Sequence, residues 1–111
     1  MGKPNKYAVT VTPSADQDLG GIFQYIARQL SAPDTAVKLV AKLYKTISNL
    51  TFLPKRHSLV KDVFLRKQGF RILPVDNYLI FYVTDETLKQ VIIHRVLAAR
   101  RNYLELLGLS T

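Results

Sequence analysis

The chain has 111 residues, with 16 Lys and Arg against 8 Asp and Glu, a net charge of +8, and no cysteine. That length suits one domain with a single core, and a chain of this size buries roughly two thirds of its unfolded surface without a metal or disulfide staple. The lack of cysteine excludes a thiolate zinc site, a cysteine nucleophile and a disulfide framework, while two histidines, His57 and His94, are too few for a histidine metal cluster. No run approaches the roughly 20 apolar residues of a membrane span, and the N-terminus has no apolar signal core, so a soluble, cytoplasmic protein is expected.

Tyr7 to Thr12 alternates Tyr7, Val9 and Val11 with Ala8, Thr10 and Thr12, the period of two that gives a strand one core face. Pro13 ends it, and Ser14 with Gln17 reads as a capping box opening a helix. Leu19, Ile22, Phe23, Ile26 and Leu30 then follow helical spacing and form one stripe, with Asp16, Gln17, Gln24 and Arg28 facing outward and Gly20-Gly21 as a weak point. After a break at residues 31–34, Ala36, Leu39, Val40, Leu43, Ile47 and Leu50 resume the spacing, with Lys38, Lys42 and Lys45 outside and Pro54 as the limit. Two amphipathic helices on so short a linker predict an antiparallel hairpin.

From Lys55 the period becomes that of strands. Val60 to Lys67 reads as one strand, broken by Gly69, and Phe70 to Val75 as another, whose Pro74 places it at an edge or a bulge. Asp76-Asn77 is a turn, Tyr78 to Thr84 a β-branched and aromatic strand, Asp85 to Thr87 a second turn, and Leu88 to Leu97 the last strand. The ending AARRNYLELLG reads as a short helix capped by Gly108. The expectation is an α+β fold: an N-terminal strand, a helical hairpin on one face of a sheet of three to four antiparallel strands, and a C-terminal helix.

No Walker loop, nucleophile elbow or metalloprotease motif is present, and the acidic residues are too scattered for a two-carboxylate or two-metal site. No metal or cofactor is expected. If the chain were a nuclease it would be metal-free, cutting RNA through the 2′-hydroxyl with a base and with cations that stabilise the phosphorane. Residues suited to that task, or to holding any acidic partner, fall in two groups. Lys55, Arg56, His57, Lys61, Arg66, Lys67 and Arg71 form the first; His94, Arg95, Arg100, Arg101 and Tyr103 form the second. Antiparallel pairing could bring them onto one basic surface. Arg71 and Arg95 lie inside strands, where a charge needs a partner; they are the leading functional candidates, with pairing to Asp16 or Asp18 as the alternative. His94 reads either as a half-buried strand histidine sharing a face with Ile92 and Val96 or as a catalytic group. His57 reads as a solvated loop residue, and Tyr78 and Tyr82 as packing residues.

The segments DLGGIFQYIARQL, NLTFLP, GFRILPVDNYLIFYV and VIIHRVLAARRNYLELL, in this order from Thr12 to Leu107, resemble the RelE/ParE superfamily of toxins from bacterial type II toxin–antitoxin modules. The resemblance implies the α+β fold reached above, growth arrest by the free toxin, and a cognate antitoxin whose acidic, partly disordered segment folds onto the basic toxin as a hetero-oligomer. It implies one of two targets, DNA gyrase or the ribosome with its mRNA.

Among the nucleases of that superfamily, lysines precede a glycine-aromatic-arginine step, and an arginine and a tyrosine follow the last strand. Gly69-Phe70-Arg71 matches the step, so Arg71 carries over as a catalytic candidate. Asp62 and Phe64 stand where the lysines would be, and Ala99 where the later arginine would be, leaving His94, Arg100, Arg101 and Tyr103 as substitutes if the chain is a nuclease. The long helical hairpin and the RVLAARRNYLELL ending are more similar to the gyrase-inhibiting ParE branch. Under that reading Lys55, Arg56, Lys61, Arg66, Lys67, Arg71, Arg95, Arg100 and Arg101 bind the target rather than cut it.

Overall fold

A computed structural model describes residues 6–99. Strand β1 (Ala8–Val11) leads into helix α1 (Pro13–Gln24), a π-helical turn (Tyr25–Gln29) and helix α2 (Pro33–Ser48); helix α3 (Val63–Lys67) and strands β2 (Arg71–Val75), β3 (Tyr78–Asp85) and β4 (Gln90–Ala98) follow. The sheet order is β1-β4-β3-β2. β2, β3 and β4 are antiparallel neighbours as expected, while β1 adds to β4 in parallel, with Val9 opposite Val91 and Val11 opposite Ile93. The mixed sheet follows from the hairpin of helices, which carries the chain back across one face before the meander begins.

Helix α1 starts two residues earlier than the Ser14–Gln17 pattern suggests. Thr12 is the cap: its Oγ1 accepts from the Ala15 amide at 3.1 Å and donates to the His94 carbonyl at 3.0 Å, with Pro13 in the first helical position. The helix end therefore grips β4 directly. Ala15, Leu19, Ile22 and Ile26 are buried, but Leu30 is 56% exposed. The cause is the π turn, where the Leu30 amide donates to the Tyr25 carbonyl at 3.2 Å, five residues back; the extra residue rotates Leu30 out of the stripe. Helix α2 keeps its expected period, burying Ala36, Leu43 and Ile47. Tyr44 near its end donates to Asp16 near the start of α1, so the two helices are antiparallel.

The strand expected over Val60–Lys67 is instead α3. Asp62 accepts from the Leu65 amide at 3.0 Å as N-cap, and Gly69, at φ +85°, closes the other end with its amide on the Arg66 carbonyl and that of Phe70 on Leu65. Only residues 58–60 run along β2, with the Val60 amide on the Phe70 carbonyl and the Ile72 amide on that of Ser58. Pro74 sits further along this edge strand, where no donor is needed. The expected C-terminal helix with Gly108 lies outside the described residues.

Apolar packing occupies both faces of the sheet. The helix side gathers Leu19, Ile22, Leu43, Ile47, Ile80, Tyr82, Val91 and Ile93; the other gathers Val60, Leu65, Phe81 and Leu97, with Phe70 and Ile72 against them. A β-bulge links the two. Phe81 pairs with Arg95 and Tyr82 with Ile93, which leaves His94 as the extra residue of β4 and lets Val96 join the helix-side core. His94 and Val96 thus point to opposite faces, although simple alternation puts them on one.

Between Ser48 and Val63 the chain turns tightly. Leu53 adopts the left-handed conformation (φ +49°, ψ +50°) before Pro54, whose ring bars the right-handed helix there. For a leucine this conformation costs about 1–2 kcal/mol.

Candidate functional site

Arg71 opens β2 opposite Tyr82, on the helix-side face but at the end of the sheet that the helices leave to the segment after Leu53. Its Nη1 donates to the His57 carbonyl at 2.6 Å. Arg56 Nε lies 3.3 Å from His57 Nε2, and the imidazole stands edge-on to Tyr82, with 6.5 Å between ring centroids. Tyr82 donates to the Pro54 carbonyl at 2.6 Å, and burial pushes its phenol up to about 12 against the opposing pull of Arg71 and Arg56. It is therefore a fixed neutral donor that anchors the segment. Partial burial, then Arg56 and Arg71, lower the pKa of His57, which favours a neutral imidazole beside Arg56, with Arg71 held on the His57 carbonyl. Sequence reading set His57 aside as a solvated loop residue. The usable signal was its adjacency to Arg56 combined with a strand arginine fourteen positions on.

His94 lies on the other face, its ring 5.1 Å from Phe70, with its pKa lowered by burial. Because Phe70 and Ile72 pack with Phe81 on that face, and Arg71 with Tyr82 on the opposite one, the sheet separates Arg71 from His94. Helix α3, with Lys61, Arg66 and Lys67 on it or beside it, packs on the same face as His94. Lys55 and Arg56 accompany Arg71 on its segment; Lys61, Arg66 and Lys67 accompany α3 and are all exposed. Lys55 Nζ pairs with Glu86 at 3.4 Å, and Glu86 also accepts from Tyr7 at 2.7 Å, which with the nearby lysine holds its carboxyl down to about 2.

Arg95 forms a two-pronged pair with Asp18 of α1, Nε to Oδ2 at 2.7 Å and Nη2 to Oδ1 at 3.0 Å, and Oδ2 also accepts from the Val96 amide at 2.9 Å. These bonds raise the guanidinium pKa and lock α1 to the strand beside the bulge. Arg100, Arg101 and Tyr103 lie outside the described residues. No group of three or more His, Asp or Glu side chains among the described residues is placed to hold a metal ion.

A cleft of about 990 Å³ opens where α1, the π turn and α2 overhang the end of β4 and the β2–β3 turn, lined by Gly21, Tyr25, Leu30, Tyr78 and Val96 among others. Tyr25 and Leu30 stand exposed at its rim. Asp18, Asp76 and Arg95 also line it, so the cleft beside the hairpin is apolar in part and charged in part.

Comparison with known proteins bears on the whole arrangement. The family described as ParE toxin of type II toxin–antitoxin system, parDE, matches residues 9–103. The chain belongs to the ParE toxin family. Among solved structures, this ParE-family chain is similar in fold to one from the chromosomal ParDE toxin–antitoxin system of P. aeruginosa, at 17% identity and a TM-score of 0.72, covering 86% of this chain and 99% of that one. It is also similar to a chain of the toxin–antitoxin complex RelBE2 from Mycobacterium tuberculosis, at 19% identity and a TM-score of 0.62, covering 84% and 98%. No curated protein matches it significantly. No helix among the described residues is long and apolar enough to cross a membrane.

Proposed function

We propose that this ParE-family chain arrests bacterial growth by inhibiting DNA gyrase, acting as one toxin domain in the cytoplasm. We further propose that it is held inactive in a hetero-oligomer with a cognate antitoxin, an acidic segment of which folds into the cleft beside Tyr25 and Leu30. The observation that carries the binding mode over catalysis is the separation of Arg71 from His94: a metal-free nuclease gathers its base and cations around one phosphate, whereas here the sheet stands between them. Purified chain, free of antitoxin, should block supercoiling by gyrase and trap cleaved DNA. Undisturbed supercoiling at a molar excess of toxin would end this reading.

A second reading, a ribosome-dependent mRNA endoribonuclease, is favoured by one feature: His57, with a lowered pKa, puts a potential base beside Arg56 while its own carbonyl holds Arg71. It expects codon-positioned cuts in translated message by primer extension, lost in His57→Ala. A message left whole by the active toxin excludes it.

A further inference from the structure

Three large apolar side chains stand exposed on segments that meet at the end of the sheet far from the cleft: Phe52 at 41% exposed, Leu53 at 70% and Leu88 at 65%. Leu53 holds a left-handed backbone, which leucine adopts at a cost, yet its side chain gains no burial in return. A glycine or asparagine would serve the turn better. The surroundings fix this presentation. Pro54 behind it is buried with its carbonyl taken by Tyr82, Phe52 is bridged to Lys6, and the Lys6 ammonium stands 5.7 Å from the Phe52 ring. Leu88 belongs to the β3–β4 turn, where Glu86 receives Lys55 from the Leu53 side and Lys89 from its own. Of the four cations here, Lys55 and Lys89 are matched by Glu86, while Lys6 and Arg56 meet no carboxylate among the described residues and form the cationic rim.

Resting on the reading of the chain as a toxin that binds its target, we infer that Phe52, Leu53 and Leu88 are the apolar anchors by which it grips an acidic surface of the target protein. The strained, exposed leucine supplies the anchor and the cationic rim supplies the charge complement. The surface is distinct from the cleft, because β3 runs from Tyr78 at the cleft to Asp85 at this end, roughly 23 Å at about 3.3 Å per residue.

The test compares Leu53→Asn and Leu88→Ser with wild type and with Val37→Ser, which removes an exposed apolar group from α2. Each is induced without antitoxin to follow growth, then purified for melting temperature, antitoxin co-purification and inhibition of gyrase holoenzyme on relaxed plasmid. Leu53→Asn and Leu88→Ser should need roughly tenfold or more toxin for growth arrest and for gyrase inhibition. Both should keep antitoxin binding, Leu53→Asn should melt no lower than wild type because asparagine accepts the left-handed backbone, and Val37→Ser should match wild type throughout. Undiminished growth arrest by both folded variants overturns the inference. If wild type spares gyrase, the gyrase reading falls, and the growth arm alone decides the surface: arrest lost in both variants upholds it against another target, and arrest retained refutes it.

Discussion

Asp18 accepts three hydrogen bonds, two from the Arg95 fork and one from the Val96 amide, so one carboxylate ties α1 to the strand just past the bulge. Asp18→Asn keeps the shape and removes the charge; a stability loss of roughly 1.5–3 kcal/mol in urea unfolding is expected, the range for bonds to a charged group. The two histidines make stability depend on pH in a defined direction. Both have folded pKa values below the ordinary 6.5, so the unfolded chain binds more protons as the medium acidifies. Their contribution is complete above 6.5 and is lost as pH falls through the folded values. The melting temperature should drop between pH 7.5 and 5.5, and His94→Gln should flatten that slope; an equal slope in the variant would remove His94 from the account. Glu86, whose pKa falls from 4.5 to about 2, adds a separate loss only in stronger acid. Asp18 was named as a possible partner for a strand arginine, but only the register of β4 against α1 selects Arg95 over Arg71, whose own partner is a backbone carbonyl.

At the level of elements, periodicity located α1 and α2 because each buries one face and its apolar spacing records which, while β-branched and aromatic composition and the turns between them located the meander strands, of which β3 buries both faces. It failed over residues 60–67, where Val60, Val63 and Leu65 mimic a strand. The contrary signal was present: Asp62 in the cap position, a run of helix formers, and Gly69 where a left-handed residue ends a helix. Capping chemistry outweighs period in a segment of five residues, since one buried leucine is nearly all the core contact the segment makes. Asp62→Ala should therefore cost about 1 kcal/mol. Because Leu65 and Val60 roof the smaller apolar cluster, amide exchange at Phe81 and Leu97 should quicken in that variant while the helix-side core stays protected. Uniform acceleration across both faces would mean that α3 is no separate unit. The π turn and the bulge at His94 had no comparable signal in the sequence, because each inserts a residue to reconcile two packing surfaces that only the assembled sheet brings together.

Across the whole molecule, the surplus of positive charge was plain from composition, but its distribution was not. Folding divides the cations into those already matched and those left for a partner. Lys42 meets Asp76, Lys55 and Lys89 share Glu86, and Arg95 meets Asp18. Lys61, Arg66 and Lys67 meet no carboxylate among the described residues, and they stand exposed on the α3 face beside Val63 and Phe64. Matched charges project little field, whereas a cluster of unmatched ones accelerates encounter with an acidic chain. Replacing these three with serine should leave the fold in place, at a few tenths of a kcal/mol each for the two cations that complement the end of α3. In stopped-flow mixing with an acidic antitoxin at low salt, association should slow by roughly tenfold while dissociation holds steady, and the difference should shrink as added salt screens the field. An unchanged association rate at low salt would show that steering comes from elsewhere on the surface. A faster dissociation would place the three side chains inside the complex rather than along the approach to it.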